Sequence, residues 1–510
     1  MRKWLIILFA VALVGLAAPR AEAFKGTVTV ALSGEPLSMD PHIQSEFIGT
    51  MIWPWGYDNL LYAEPGTGKL QPWLAEKMER LSAQAFKFTL RAGAKFNDGT
   101  PVNSAAVKYS LGRIADPKIK SRLIPYFKDI KEIEVVDDRT FIVHTTVPMN
   151  GLPNLLRRWG HVMNPKTKEM DLPTISRSTH GSGPYVLKSW TKGQKMVFEA
   201  NPLWWNNKAY PNRPQTLVLR RIQEHATRVK SLQAGEVDII TAIPAHFVPQ
   251  IKADPKLDVV NVPAVRILYV GFFTAHGGPF ANVKVRQAVN YAINADSIIK
   301  TFLGGFAEPY FQMLHPWVYS GYSKKMTSWY PYDLGKAKQL MKEAGFEKGF
   351  KAHLFTTVGR YPSDKETCEA ITGMVKQIGI DAPCNPVNFP LYRQTFTAFQ
   401  TGKRKDPGFY YQGFGNGAGD TSVSLRGMGA CKGAWSPHCF KEYDAMVDKA
   451  IATADVEEQQ AAFEKVSQWM RDNATHKPVT KVHDVFGVNK RVNFIARHDE
   501  GLDPWDIAVK

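Results

Sequence analysis

The sequence predicts a mixed α/β protein of more than one domain. Its 510 residues exceed what one compact core organises. Beyond about residue 280, short strand-like runs alternate with capped helices. The stretch Phe86–Ile114, FKFTLRAGAKFNDGTPVNSAAVKYSLGRI, sets strand, turn and helix in tight succession. There Phe86, Phe88 and Leu90 alternate with polar residues, the period of a half-buried strand. Asn97-Asp98-Gly99 supplies turn chemistry, and Asn103 or Ser104 offers a helix N-cap. Val107, Leu111 and Ile114 then share one helical face. This corner reads as structural, without chemistry of its own.

The chain opens on Arg2, Lys3, an apolar run from Trp4 to Ala18, and Ala21-Glu22-Ala23. That is the pattern of a secretory signal peptide, residues 1–23, cleaved after Ala23. No cysteine follows the cut, so a free periplasmic protein without a lipid anchor is expected. Export makes the four cysteines disulfide candidates, with Cys431–Cys439 and Cys368–Cys384 favoured among three connectivities. Cys368 as a small buried apolar residue is the alternative.

Thr27–Leu32 reads as a strand that breaks into the loop SGEPLSMDPH. The aromatic segment FIGTMIWPWGYDNLLY follows, its Trp53, Trp55 and Tyr57 read chiefly as core packing. Ile133–Val136 and Thr140–Thr145 form a hairpin pattern about Asp137-Asp138. Two further strands lie within residues 180–205, and LQAGEVD reads as a helix stopped by Gly235. The apolar run VPAVRILYVGFF suits a buried strand passing between domains. Later helices are capped by Asn294 or Asp296, by Asp333, by Asp364, and by Asp455 with Glu458. Val485–Val488 is expected to return the chain to the first domain. There is no internal repeat.

Hydrophobic content of 44% and charged content of 22% are those of an ordinary globular protein, while the net charge is +17. The basic residues are dispersed, and Lys403-Arg404-Lys405 reads as a solvated loop tip, so no nucleic-acid partner is expected. A positive surface favours encounter with anionic solutes or an anionic membrane. No G-x-S-x-G elbow or Walker A loop occurs. Ser189–Lys192 and Ser297–Lys300 fit S-x-x-K by chance. The histidines form no H-x-x-x-H array, and no C-x-x-C or C-x-x-C-H motif is present. Neither an enzyme nor a cofactor is expected.

Seven motifs in order, EPLSMDPH, YDNLLYAEPGTGKLQPWLAEKME, FTLRAGAKFNDGTPVNSAAV, GSGPYVLKSW with NPLWW, LQAGEVDI, PFANVKVRQAVNYAIN and YDLGKAKQLMKEAG, resemble the family 5 extracellular solute-binding proteins of bacterial ABC importers. The resemblance spans Gly26 to about Val488. It implies a two-lobed periplasmic binding protein fold with a hinge and an extra subdomain in the first lobe. Lobe I is placed at residues 24–264 plus 485–510, with the subdomain at about 45–180, and lobe II at 265–484. The implied partners are a small-molecule or short-peptide ligand and an inner-membrane permease, with the protein a monomer. In the dipeptide-binding members an arginine before a Pro- or Tyr-containing turn grips the ligand carboxylate. Thr357-Val358-Gly359-Arg360-Tyr361-Pro362 matches, which makes Arg360 the expected grip, the alternative being a structural pair with Asp364. The family's ammonium-binding aspartate has no counterpart in Phe414-Gly415-Asn416-Gly417, and Asp420 aligns with a structural position. Tyr410, Tyr411 and Phe414 suggest an apolar wall instead. Met39, Gln44, Phe47 and Asn416 complete the expected ligand contacts. The expected ligand is anionic or neutral. Nickel, another metal chelate or haem are alternative cargoes, and a secreted hydrolase or a structural or chaperone-like protein are alternative classes.

Overall fold

The computed structural model describes residues 26–510, so the expected leader lies outside the described residues. One sheet of eleven strands organises the molecule. Its axis is a pair of long antiparallel strands, Leu257–Phe272 and His476–Asn489. The Asn489 end lies beside Ile239–Ile240, followed across the sheet by Thr27–Leu32, Thr216–Arg221, Lys195–Ala200 and Tyr185–Thr191. The Phe272 end pairs with Gly408–Gly415, followed by His353–Thr357 and Cys384–Val387. Separate apolar cores form on the two sides of this axis. Val28, Trp53, Phe88 and Phe198 belong to one. Val270, Val289, Leu354 and Ile371 form another, and Tyr410, Tyr443 and Phe463 a third. Two lobes joined by shared strands result.

The corner predicted near residue 100 forms as strand Ala85–Leu90 and helix Ser104–Ala115, capped by the Asn103 side chain accepting from the Ala106 N–H. Val107, Leu111 and Ile114 are buried. The strand joins a separate four-stranded antiparallel sheet with Ala75–Ser82, Thr140–Thr145 and Ile130–Val135. Asn294, Asp333 and Asp455 cap their helices by accepting backbone N–H groups two or three residues on. Asp364 behaves differently. Its carboxylate accepts from the N–H groups of Gly359, Arg360 and Tyr361 and from the Thr357 hydroxyl, so it holds the preceding loop. Disulfides join Cys368 to Cys384 and Cys431 to Cys439.

The aromatic segment is a helix, Phe47–Gly56, that buries Trp53 and Trp55 fully. Each indole donates to a backbone carbonyl, of Ser38 and of Leu502 respectively. Nearby, the indoles of Trp73, Trp204 and Trp205 all converge on the Asp58 carboxylate, which also accepts from Ser182. Burial pushes Asp58 up to about 6.

The loop after the first strand is fixed by a buried ion pair. Arg113 grips Asp40 through both guanidinium nitrogens, at 2.8 and 2.6 Å. Burial lowers the adjacent His42 to about 4, so it is neutral at pH 7 and leaves Asp40 to Arg113. Arg113→Met strands a buried carboxylate and is expected to cost about 3–5 kcal/mol, read as a lowered urea midpoint. Asp40→Leu combined with Arg113→Met is expected to lose less than Arg113→Met alone.

Candidate functional site

The two long strands lose register between Pro263 and Ile267. Proline has no N–H to give the ladder there, and the Val265 N–H turns instead to the His498 carbonyl of the C-terminal loop. Arg266 sits in this break. Its guanidinium meets Glu500 of the C-terminal loop at 2.5 Å. It also lies 4.8 Å from the Phe47 ring centroid, in one lobe, and 5.5 Å from that of Tyr361, in the other. Tyr361 donates its hydroxyl to the Gly413 carbonyl at 3.0 Å. A Cβ on Gly413 would come within 3.0 Å of Leu268, Tyr361 and Arg266, so only glycine lets the three approach.

Arg360 stands on the other side of Tyr361. Its Nε donates to the Tyr361 hydroxyl at 3.3 Å, and its guanidinium lies 3.8 Å from the Phe389 centroid. The loop beneath is held by the Asp364 cradle. No carboxylate forms an ion pair with Arg360 among the described residues, and Asp364 is committed to backbone N–H groups. Glu46, across the cleft, is raised by burial and drawn back slightly by the Arg360 charge. It accepts the Leu37 N–H at 3.2 Å.

Asp484, opposite Val262 on the second long strand, completes the group. Burial raises it well above the ordinary carboxylate range, Glu500 raises it further, and Arg266 pulls it back. It makes no hydrogen bond or ion pair among the described residues. Glu500 is 3% exposed and adopts φ +60°, a left-handed conformation that costs a non-glycine residue about 1–3 kcal/mol.

Other contacts hold the lobes shut. Arg157 pairs with Asp499 at 2.9 Å and donates to the Gly417 carbonyl. Asn150 donates to Gln459, Asn154 to the Gly419 carbonyl, and Trp317 to the Gly66 carbonyl. Between Arg157, Arg158, Thr50 and Asp499 lies a cavity of about 30 Å³, room for one water.

Of the residues expected from sequence, Arg360 and Phe47 line this cleft. Phe414 is half-buried where cores of both lobes meet, its ring against Gly427. Gln44 is half-buried and makes no side-chain hydrogen bond among the described residues. Three others are placed elsewhere. Tyr411 is fully buried with Phe409 in a lobe core, because strand alternation sends it behind the sheet. Met39 is fully buried in the other lobe. The Asn416 amide donates to the Asp420 carbonyl and the Ser424 hydroxyl, tying the glycine-rich loop to a helix start. Asp420 caps that helix, Thr421–Gly429. Sequence reasoning missed Arg266, Tyr361, Asp484 and Glu500. The available signal was lone charges inside the strand-like runs VPAVRILYV and VHDVFGV. No three His, Cys, Asp or Glu among the described residues are grouped to hold a metal ion.

The sequence model of the bacterial extracellular solute-binding proteins, family 5 (Middle), matches residues 69–436. The glutathione-binding protein GsiB of Escherichia coli K12 is 26% identical over 446 residues, covering 85% of this chain and 84% of GsiB. The periplasmic binding protein DppA of Helicobacter pylori, solved with the peptide STSA, superposes with a TM-score of 0.82 at 22% identity, over 96% of this chain and 99% of DppA. The binding protein AgaA of A. tumefacien R10, solved with agropinic acid, superposes with a TM-score of 0.81 at 26% identity, over 95% of this chain and 99% of AgaA.

A Cβ on Gly415 would meet the Glu500 carboxylate at 2.6 Å. Gly415→Ala is therefore expected to displace Glu500 from Arg266 and cost about 1–3 kcal/mol, measured as a lowered melting temperature. Gly112→Ala, where the added methyl meets open space and φ is likewise not positive, serves as the control and is not expected to lower it.

Proposed function

We infer what the protein does from what it is: the chain belongs to the family 5 bacterial extracellular solute-binding proteins. Its task on that footing is to capture a solute and deliver it to an ABC importer, without altering it. No described helix is long and apolar enough to cross a membrane. The reading continues with residues 1–23 as a cleaved export signal, a monomer in the periplasm, and an inner-membrane permease as recipient. Lobe I is taken as residues 24–264 plus 485–510 and lobe II as 265–484, with the hinge at the register break.

The ligand we propose is a small, peptide-like solute bearing a carboxylate, received by Arg360. One observation carries this: a guanidinium fixed by Tyr361 and Phe389 in the cleft, with no carboxylate partner among the described residues. Such a fork binds a carboxylate in two parallel hydrogen bonds. The ligands named with GsiB, DppA and AgaA share that group. Ligand touching both lobes favours the closed arrangement over the open one, which is what makes closure report capture.

Arg360→Ala is expected to weaken binding about 10- to 100-fold, or about 1.4–2.8 kcal/mol, with little change in melting temperature. Calorimetry with glutathione, a tripeptide and agropinic acid measures it, alongside native mass spectrometry for small molecules carried through purification. Unchanged affinity in the variant would overturn the assignment.

A further inference from the structure

Arg360 is held by two elements that are not neighbours in the chain. Its backbone N–H donates to Asp364, which opens the helix Asp364–Lys376, and its guanidinium lies on Phe389, which opens the helix Phe389–Gln400. The loop that carries it, residues 358–363, is strained. Ser363 sits at φ +50°, a left-handed conformation that a non-glycine residue keeps only where its surroundings over-determine it. A covalent constraint lies one turn along the first helix. Cys368 follows Asp364 by four residues, is fully buried, and is bonded to Cys384. Cys384 starts the strand Cys384–Val387, which runs directly into Asn388 and Phe389. That strand pairs with Leu354–Thr357, and the Thr357 hydroxyl donates to Asp364 at 2.9 Å. The Val358 N–H closes the same circuit on the Val387 carbonyl at 3.0 Å. The disulfide is thus the covalent link between the element that fixes the backbone of Arg360 and the element that fixes its guanidinium.

Resting on the assignment of Arg360 as the carboxylate grip, we propose that Cys368 and Cys384 are positioning residues for ligand capture. Their bridge holds Asp364 and Phe389 at the spacing that keeps the guanidinium aimed into the cleft before ligand arrives. An unrestrained arginine loses rotamer freedom when it takes hold of a carboxylate, and that loss is subtracted from affinity. An arginine already packed on a ring and hung from a fixed loop has lost it on folding. One hydrogen bond also ties the helix to the Cys384 segment, from the Thr372 hydroxyl to the Ala382 carbonyl at 2.9 Å. It lies one turn beyond Cys368, farther from Arg360. With the bridge absent, that contact is a pivot about which the start of the helix moves against Phe389. The second disulfide, Cys431–Cys439, closes a loop of its own and joins neither element.

The test removes the bridge with Cys368→Ala and Cys384→Ala together and reads two quantities. Hydrogen exchange of the ligand-free protein is expected to speed up at the amides of Gly359, Arg360 and Tyr361, which Asp364 holds. Calorimetry with a tripeptide, below the melting transition of every variant, is expected to show about three- to tenfold weaker binding. In an Arg360→Ala background the same two cysteine changes are expected to lose no further affinity, which separates positioning from general loosening. Val143→Ala, which opens a cavity under the four-stranded sheet, is the control: it lowers the melting temperature and leaves the affinity as it was. Where the double cysteine variant does not fold, Cys384→Ser alone replaces it and keeps the buried Cys368 side chain. Unchanged exchange at those amides, or an equal loss of affinity with and without Arg360, would overturn the proposal. If Arg360→Ala weakens binding and loss of the bridge does not, the grip stands and only the role of the bridge falls. If Arg360→Ala itself leaves the affinity unchanged, both fall.

Discussion

The structure depends on two long strands staying paired while they pass from one lobe to the other. A chain crossing between domains ordinarily leaves backbone N–H and C=O groups to water or to loops. Here the ladder between Leu257–Phe272 and His476–Asn489 satisfies most of them, interrupted by the wide break between Pro263 and Ile267 and a one-step shift between Leu268 and Tyr269. At the break Arg266 keeps its pairing with Gly415 on the neighbouring strand and directs its side chain to three neighbours of separate origin. Phe47 comes from the aromatic helix, Tyr361 from the loop held by Asp364, and Glu500 from the tail. Phe47 and Tyr361 belong to different lobes, so both ring contacts exist together only when the lobes are shut. At about 0.5–2 kcal/mol each, such contacts bias closure without deciding it, which leaves the decision to a ligand.

What was legible in the sequence is what hydrogen bonds over a few residues. The Asn103, Asn294, Asp333 and Asp455 caps, and the stop at Gly235, where φ is +72°, all act within one helical turn. The site is a different matter, since residues 47, 266, 361, 484 and 500 meet only through the sheet. Tyr411 shows the limit of composition. Aromatic residues in a glycine-rich stretch suggested a ligand wall, but in a strand the face decides, and position 411 shares the core face with Phe409. Tyr410 and Gln412 take the other face and bond or pack against Tyr269 and Tyr392. The helix Phe47–Gly56 escaped detection because it is apolar nearly all round and contains Pro54, so no periodic contrast marks it. Asp364 was read as opening a helix. It does begin one, but three backbone donors upstream claim its carboxylate, and that is how Arg360 comes to be held in place.

Charge acts here on two length scales. The chain carries +17 overall, spread over a surface from which the field decays within about 8–10 Å at physiological salt. That field gathers anionic solutes towards the protein but cannot tell one from another. Inside the cleft charges are set singly against one another: Glu46, Asp484 and Glu500 face Arg158, Arg266 and Arg360, and burial makes single charges count. The outer charge therefore governs how often a solute arrives, and the inner arrangement governs which one is kept.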